Sequence, residues 1–158
     1  MKKRILLMIA CLVLMCAFAA CGKEEGGGEV TASADEIAKD LAENAVTSDT
    51  LSPITSDILA STYFVDMDKV TDSAAYLSTG ASACEAAVIQ CKDSDYTSEV
   101  KQLFETRVSN QSELFGSYNA GEVKKLDSAI IKISGNYVVL FVGDNTDQAE
   151  EILTKAGF

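Results

Sequence analysis

The chain has no histidine, no tryptophan and a single proline in 158 residues. The absence of histidine removes the commonest general base, and with it Ser-His and Cys-His nucleophile pairs. Basic residues are also few. Lys2, Lys3 and Arg4 are the only charges before residue 21, so residues 21–158 carry 24 acidic side chains against 10 basic ones, a formal charge of −14. So acidic a body argues against nucleic acid and against adsorption onto anionic lipid, because both need a basic footprint. No metal ligand set and no cofactor motif is legible. Asp66/Asp68, Asp93/Asp95 and Asp144/Asp147 are paired acids in loop or cap positions. A calcium loop would need more oxygen ligands and a well-placed Gly, and none of the three continues that way.

What is present begins with an export signal. Residues 1–20 have a basic start, an apolar middle and small residues at the end, a secretory signal too short and wrongly flanked for a membrane span. Phe18-Ala19-Ala20-Cys21-Gly22 resembles the bacterial lipobox, with Phe18 where Leu is usual. Cys16 is a poorer match because Met15 precedes it, and Cys11 lies inside the apolar run. Diacylglycerol on Cys21 would supply two acyl chains, which is what stable anchoring takes. Residues 21–33 then read as a Gly- and charge-rich tether with an end-to-end reach of ~5–6 Å × √n. The expected place is the outer side of the cell membrane, with residues 34–158 as one folded domain.

Ser33 to Glu36 is a capping box, and Ile37, Leu41 and Ala45 follow on one face of a short helix. Ile58-Leu59 fits a helical turn and Tyr63-Phe64-Val65 a short extended piece. Residues 73–78 and 85–92 read as a strand pair joined by a Gly-containing loop. Residues 98–115 read as a helix with Val100, Leu103, Phe104, Val108 and Phe115 on one side. Residues 122–126 fit one more helical turn, and residues 146–155 a last helix. Between them, residues 129–142 form two β-rich runs meeting at Gly135-Asn136, a pair suited to a two-residue hairpin turn. The predicted register sets Ser134 opposite Tyr137 and Ile130 opposite Phe141. The expectation is an α+β fold, an antiparallel sheet of about four strands from two hairpins, with helices packed on one face.

Phe104-Glu-Thr-Arg107, Gln111, Phe115-x-x-Tyr118 and the Gly135-Asn-Tyr137 hairpin resemble domain-of-unknown-function family 4358, small lipoproteins of Gram-positive, clostridia-like bacteria. The resemblance spans roughly residues 34–158. It implies a lipoprotein with one domain and a hairpin, and it brings no activity or catalytic residue.

Two surfaces are candidates for binding. Arg107 and Gln111 interrupt an apolar helical stripe. With Tyr118 and Tyr137 they would form a polar site for a carboxylate or peptide end, since the guanidinium fork matches a carboxylate. Alternatively Arg107 lays its stem on the core rim and pairs with an acidic neighbour. The second surface is the mixed side of the hairpin, where Tyr137, Val139 and Phe141 would make an apolar strip for a partner unless the N-terminal helix or the Tyr63–Val65 segment covers it. Strand edges could also accept a partner's strand. Cys84 and Cys91, if on one extended run, lie about 23 Å apart with opposed side chains, too far for a disulfide. The leading expectation is a non-enzymatic, membrane-tethered protein or peptide binder at the envelope. The alternative is a binder of a small ligand or cell-wall fragment at Arg107.

Overall fold

The computed structural model describes residues 29–80 and 82–158. The signal segment, Cys21 and the tether up to residue 28 lie outside them. Among the described residues no helix is long and apolar enough to cross a membrane.

In chain order the elements are α1 (Ala34–Asn44), β1 (Leu51–Pro53), α2 (Ser56–Tyr63), β2 (Val70–Ser78), β3 (Glu85–Cys91), α3 (Thr97–Gly116), α4 (Ala120–Asp127), β4 (Ile130–Ser134), β5 (Tyr137–Val142) and α5 (Thr146–Ala156). The five strands make one antiparallel sheet in the order β1-β2-β3-β5-β4. The α+β class and the two hairpins are as expected, with a fifth strand added. β1 is only three residues long, too short to show alternation, and carries the lone proline at a sheet edge, where a missing N–H costs least.

Local signals account for the helix ends. The capping box forms, with Glu36 N donating to Ser33 Oγ and Ser33 N donating to Glu36 Oε2 at 2.9 Å. Asn145 caps α5 through Gln148 N, and Gly157 ends it with a positive φ of 101°. Tyr63 closes α2 rather than starting an extended piece, and Phe64 takes the left-handed conformation just beyond it. The hairpin register of Ser134 with Tyr137 through Ile130 with Phe141 is as predicted, with Gly135 supplying a φ of +54° at the turn.

One expectation fails: the helices do not sit on one face. α1 and α5 pack on the side of the sheet that carries Ala86, Val88, Val139 and Phe141. α2, α3 and α4 pack on the side that carries Ala87, Ile89, Val138, Leu140 and Val142. The physical cause is in β3 and β5 themselves. Strands buried on both faces read as near-continuous apolar runs, and Ala86-Ala-Val-Ile89 and Val138-Val-Leu-Phe-Val142 are such runs. Each fully buried side chain of this size contributes about 1.5–3 kcal/mol by leaving water, which is reason enough to recruit a second helical layer.

Candidate functional site

Glu85 opens β3 and points to the face covered by α2 and α3, where it is 1% exposed. A carboxylate so placed must be paired or pay heavily for lost hydration. Two side chains converge on it. Arg107, midway along α3, donates from Nε to Oε2 at 3.1 Å and to Oε1 at 3.3 Å, and its Nη2 pairs ionically with Oε2 at 3.1 Å. Tyr63, the last residue of α2, donates its hydroxyl to Oε2 at 2.9 Å. Its ring lies edge-on to Phe104 and beneath the guanidinium, 5.6 Å from ring centre to Cζ. Burial pushes the Glu85 carboxyl up, with Arg107 and Tyr63 pulling against it. Burial also pushes the Tyr63 hydroxyl well above its usual range, reinforced by the Glu85 charge.

The other side of Arg107 faces Gln111, one helical turn on. With its amide oxygen turned to the guanidinium, Gln111 accepts from Nη1 at 2.7 Å and from Nη2 at 3.2 Å. The guanidinium thus forms the floor of a cleft of about 250 Å³ between the β2–β3 loop and the C-terminal half of α3. Ser78, Gly80 and Ser82 form the loop wall, and Leu114, Phe115 and Tyr118 the helical wall. Leu114 and Tyr118 are 55% and 59% exposed, unusual for side chains of their type.

The loop wall is tied down. Asp49 accepts from Ser78 Oγ at 2.5 Å, a bond that holds its carboxyl below the usual range. Glu122 of α4 accepts from Ala83 N at 2.8 Å. Lys125 bridges Glu122 at 3.0 Å, Ser48 Oγ at 3.0 Å and Cys84 Sγ at 3.5 Å. Burial works against the Lys125 charge, but the Glu122 bond and the nearness of Cys84 outweigh it and hold the ammonium above its usual value. A lysine kept charged in this way is no general base for the thiol or for Ser48.

Of the residues singled out from sequence, Arg107, Gln111 and Tyr118 come together in this cleft. Tyr137 does not: it lies on the opposite face of the sheet, edge-on to Phe158. Val139 and Phe141 are fully buried beneath α1 and α5, so the apolar strip proposed for a partner is core instead. The N-terminal helix covers it, the alternative left open above. Cys84 and Cys91 are free thiols, buried on opposite faces. Asp66 and Asp93 cap short 3-10 turns, whereas Asp144 reaches across to the backbone N–H of Thr47 and the hydroxyls of Thr47 and Ser48.

Two larger depressions are less suited to a ligand. One of about 350 Å³ at Asp68, Lys69, Lys92 and Glu99 is lined by exposed charges, and Lys69 is already shared between Asp66 and Glu99. One of about 450 Å³ between α1 and α5 has no buried charge at its floor. Among the described residues no group of three or more acids and thiols is placed to hold a metal ion.

Sequence reasoning missed Glu85 and Tyr63. The available signal was Glu85 itself, an acid heading an otherwise apolar strand. A family described as "Domain of unknown function (DUF4358)" matches residues 34–143. No curated protein and no solved structure matches the chain.

Proposed function

The chain belongs to the DUF4358 family, and on that premise, which carries no activity with it, we propose a binding protein rather than an enzyme. It is a lipid-anchored, extracytoplasmic domain, held through Cys21, that takes a small envelope ligand or cell-wall fragment in the Arg107 cleft. One observation carries the reading: a concave site whose floor is a half-buried guanidinium paired with the buried Glu85 and whose rim is exposed Leu114 and Tyr118. Ligand sites combine apolar walls with a few fixed polar groups in this way. Saturation-transfer NMR on the detergent-solubilised full chain, with a digest of cell-wall muropeptides, tests it. Transfer is expected with the wild type and is lost in a Leu114→Ser, Tyr118→Ala double variant. Silence from the wild type, or an undiminished signal from the variant, would remove the cleft as the binding site.

The anchor has its own test. Cys21→Ser is expected to abolish fatty-acid labelling and to shift the protein out of the membrane fraction, whereas labelling that persists would refute the assignment. A protein or peptide partner is the second reading. The terminal position of β4, with Ile133 41% exposed, favours it, because an open strand edge can pair with an added strand.

A further inference from the structure

The cleft presents hydrogen-bond donors whose charge is already spent, and that combination selects a ligand chemistry. Arg107 has five N–H groups in a planar fork. The Nε–Nη2 edge, the one that matches a carboxylate, is taken by Glu85. One further Nη2 proton and one Nη1 proton go to the Gln111 amide oxygen. What remains is a single Nη1 proton, with the Nε2 group of Gln111 beside it, and both residues line the cleft. These are donors only. Arg107 and Glu85 together carry no net charge, and the body around them carries −14 beyond residue 20. A carboxylate entering here would be stripped of water against a neutral floor inside an acidic protein, a loss with no matching Coulomb gain.

From this we infer that the cleft takes a neutral secondary amide, its carbonyl oxygen accepting from Arg107 Nη1 and Gln111 Nε2 and its apolar substituent lying on Leu114 and Tyr118. The inference rests on the cleft being the binding site and narrows what binds there. The expectation of a carboxylate partner for Arg107 is replaced, because Glu85 already occupies that role. Such an amide could come from an acetamido sugar or from a peptide bond, and the shared chemistry is the acetamide-like carbonyl.

Calorimetric titration of the detergent-solubilised full chain uses three probes: N-acetylglucosamine, an alanyl dipeptide capped by acetyl and amide groups, and the same acetylated dipeptide with a free carboxylate. At least one neutral probe is expected to bind about tenfold or more tightly than the free acid, and which of the two does so identifies the source. Gln111→Leu removes the amide donor and is expected to cost the neutral probes about tenfold. Glu85→Gln leaves the guanidinium charge uncompensated and is expected to reverse the preference towards the acid. Should that buried change prevent folding, Gln111→Glu serves instead: an acceptor in place of the donor is expected to abolish neutral binding.

A free acid that binds the wild type more tightly than both neutral probes would overturn the inference while leaving the cleft in use. Neutral binding indifferent to Gln111→Leu would overturn it as well. No binding of any probe would do the same, and the muropeptide experiment then decides separately whether the cleft binds at all.

Discussion

Above the sheet, α1 and α5 press on Tyr76, Ala86, Val88, Val139 and Phe141, and the layer is closed with apolar side chains and hydroxyl bonds at its margins, Tyr76 to Asp35 at 2.8 Å and Ser134 to the Gly157 carbonyl at 2.7 Å. Below it, α2, α3 and α4 press on Ala87, Ile89, Val138 and Leu140, yet the same layer also shuts in Glu85 and must bring Arg107 and Tyr63 to meet it. The upper face shuts in no charged side chain among the described residues. The lower face gives up some apolar packing for a charged floor under an open cleft. A buried ion pair is a poor stabiliser compared with well-packed apolar residues of similar volume, because desolvation offsets much of its Coulomb gain. Its presence at the floor of the Arg107 cleft is therefore better explained by the cleft than by the core.

Truncation is the strongest way to break the upper face. Phe141→Ala leaves a cavity under α1 and α5 and is expected to lose about 3–5 kcal/mol in chemical denaturation. The Phe141 ring already fills the space beside Gly143, where an added Cβ would collide with it.

The lower face breaks differently, through charge. Arg107→Ala strands the Glu85 carboxylate and is expected to cost about 3 kcal/mol at neutral pH. Here the pH dependence has a definite sign. Glu85 already has a folded value raised by burial, and losing Arg107 raises it further. An acid raised in the folded state destabilises once it must ionise, so the deficit is smallest below the ordinary carboxyl range and grows as pH rises through it. Denaturation at pH 4 and pH 7 checks this, and a deficit independent of pH would mean the loss is one of packing.

The smallest expected effect comes from a carboxyl shifted in the opposite direction to Glu85. Burial works against the Asp144 charge, but its bonds to Thr47 and Ser48 outweigh it and hold the carboxyl below its usual value. A depressed acid stabilises above its unfolded pKa, and that contribution disappears as pH falls through the folded one. Asp144→Asn is expected to cost about 1 kcal/mol at neutral pH, discounted for its exposure, and nothing in acid. Both deficits therefore grow from acid to neutral pH, one because a buried acid has lost its cation and the other because a stabilising carboxylate has been removed.

How much of this the residues disclosed depends on range. The hairpin register was legible because Gly135-Asn136 fixes the turn and alternation fixes the rest within a few residues. The capping box was equally local. The number of helical layers was legible only in part. The mixed face of β4, with Ser134 and Lys132, suggested water, although β3 and β5 between them had no polar residue except Gln90 on the corresponding face. Lys132 escapes to Glu150 at the edge of α5, so it never demanded an open face. Arg107 stood out as an interruption in an apolar stripe, and Glu85 was an interruption of the same kind in a strand. Each side chain asks for a partner, but a separation of 22 positions conceals that they are each other's. Tyr63 gave no sign at all, since its helix was read as ending before it.

The strand order has a consequence for how the molecule comes into being. β3 is the central strand, and its two neighbours arrive at very different times: β2 immediately before it, β5 only at Tyr137–Val142. While the chain is being made, an apolar strand therefore waits with one edge unpaired until nearly the last residues are available, a non-local closure of the kind that slows folding. Any truncation before Tyr137 leaves that edge open for good, and the fragment's fate is to pair with whatever strand it meets.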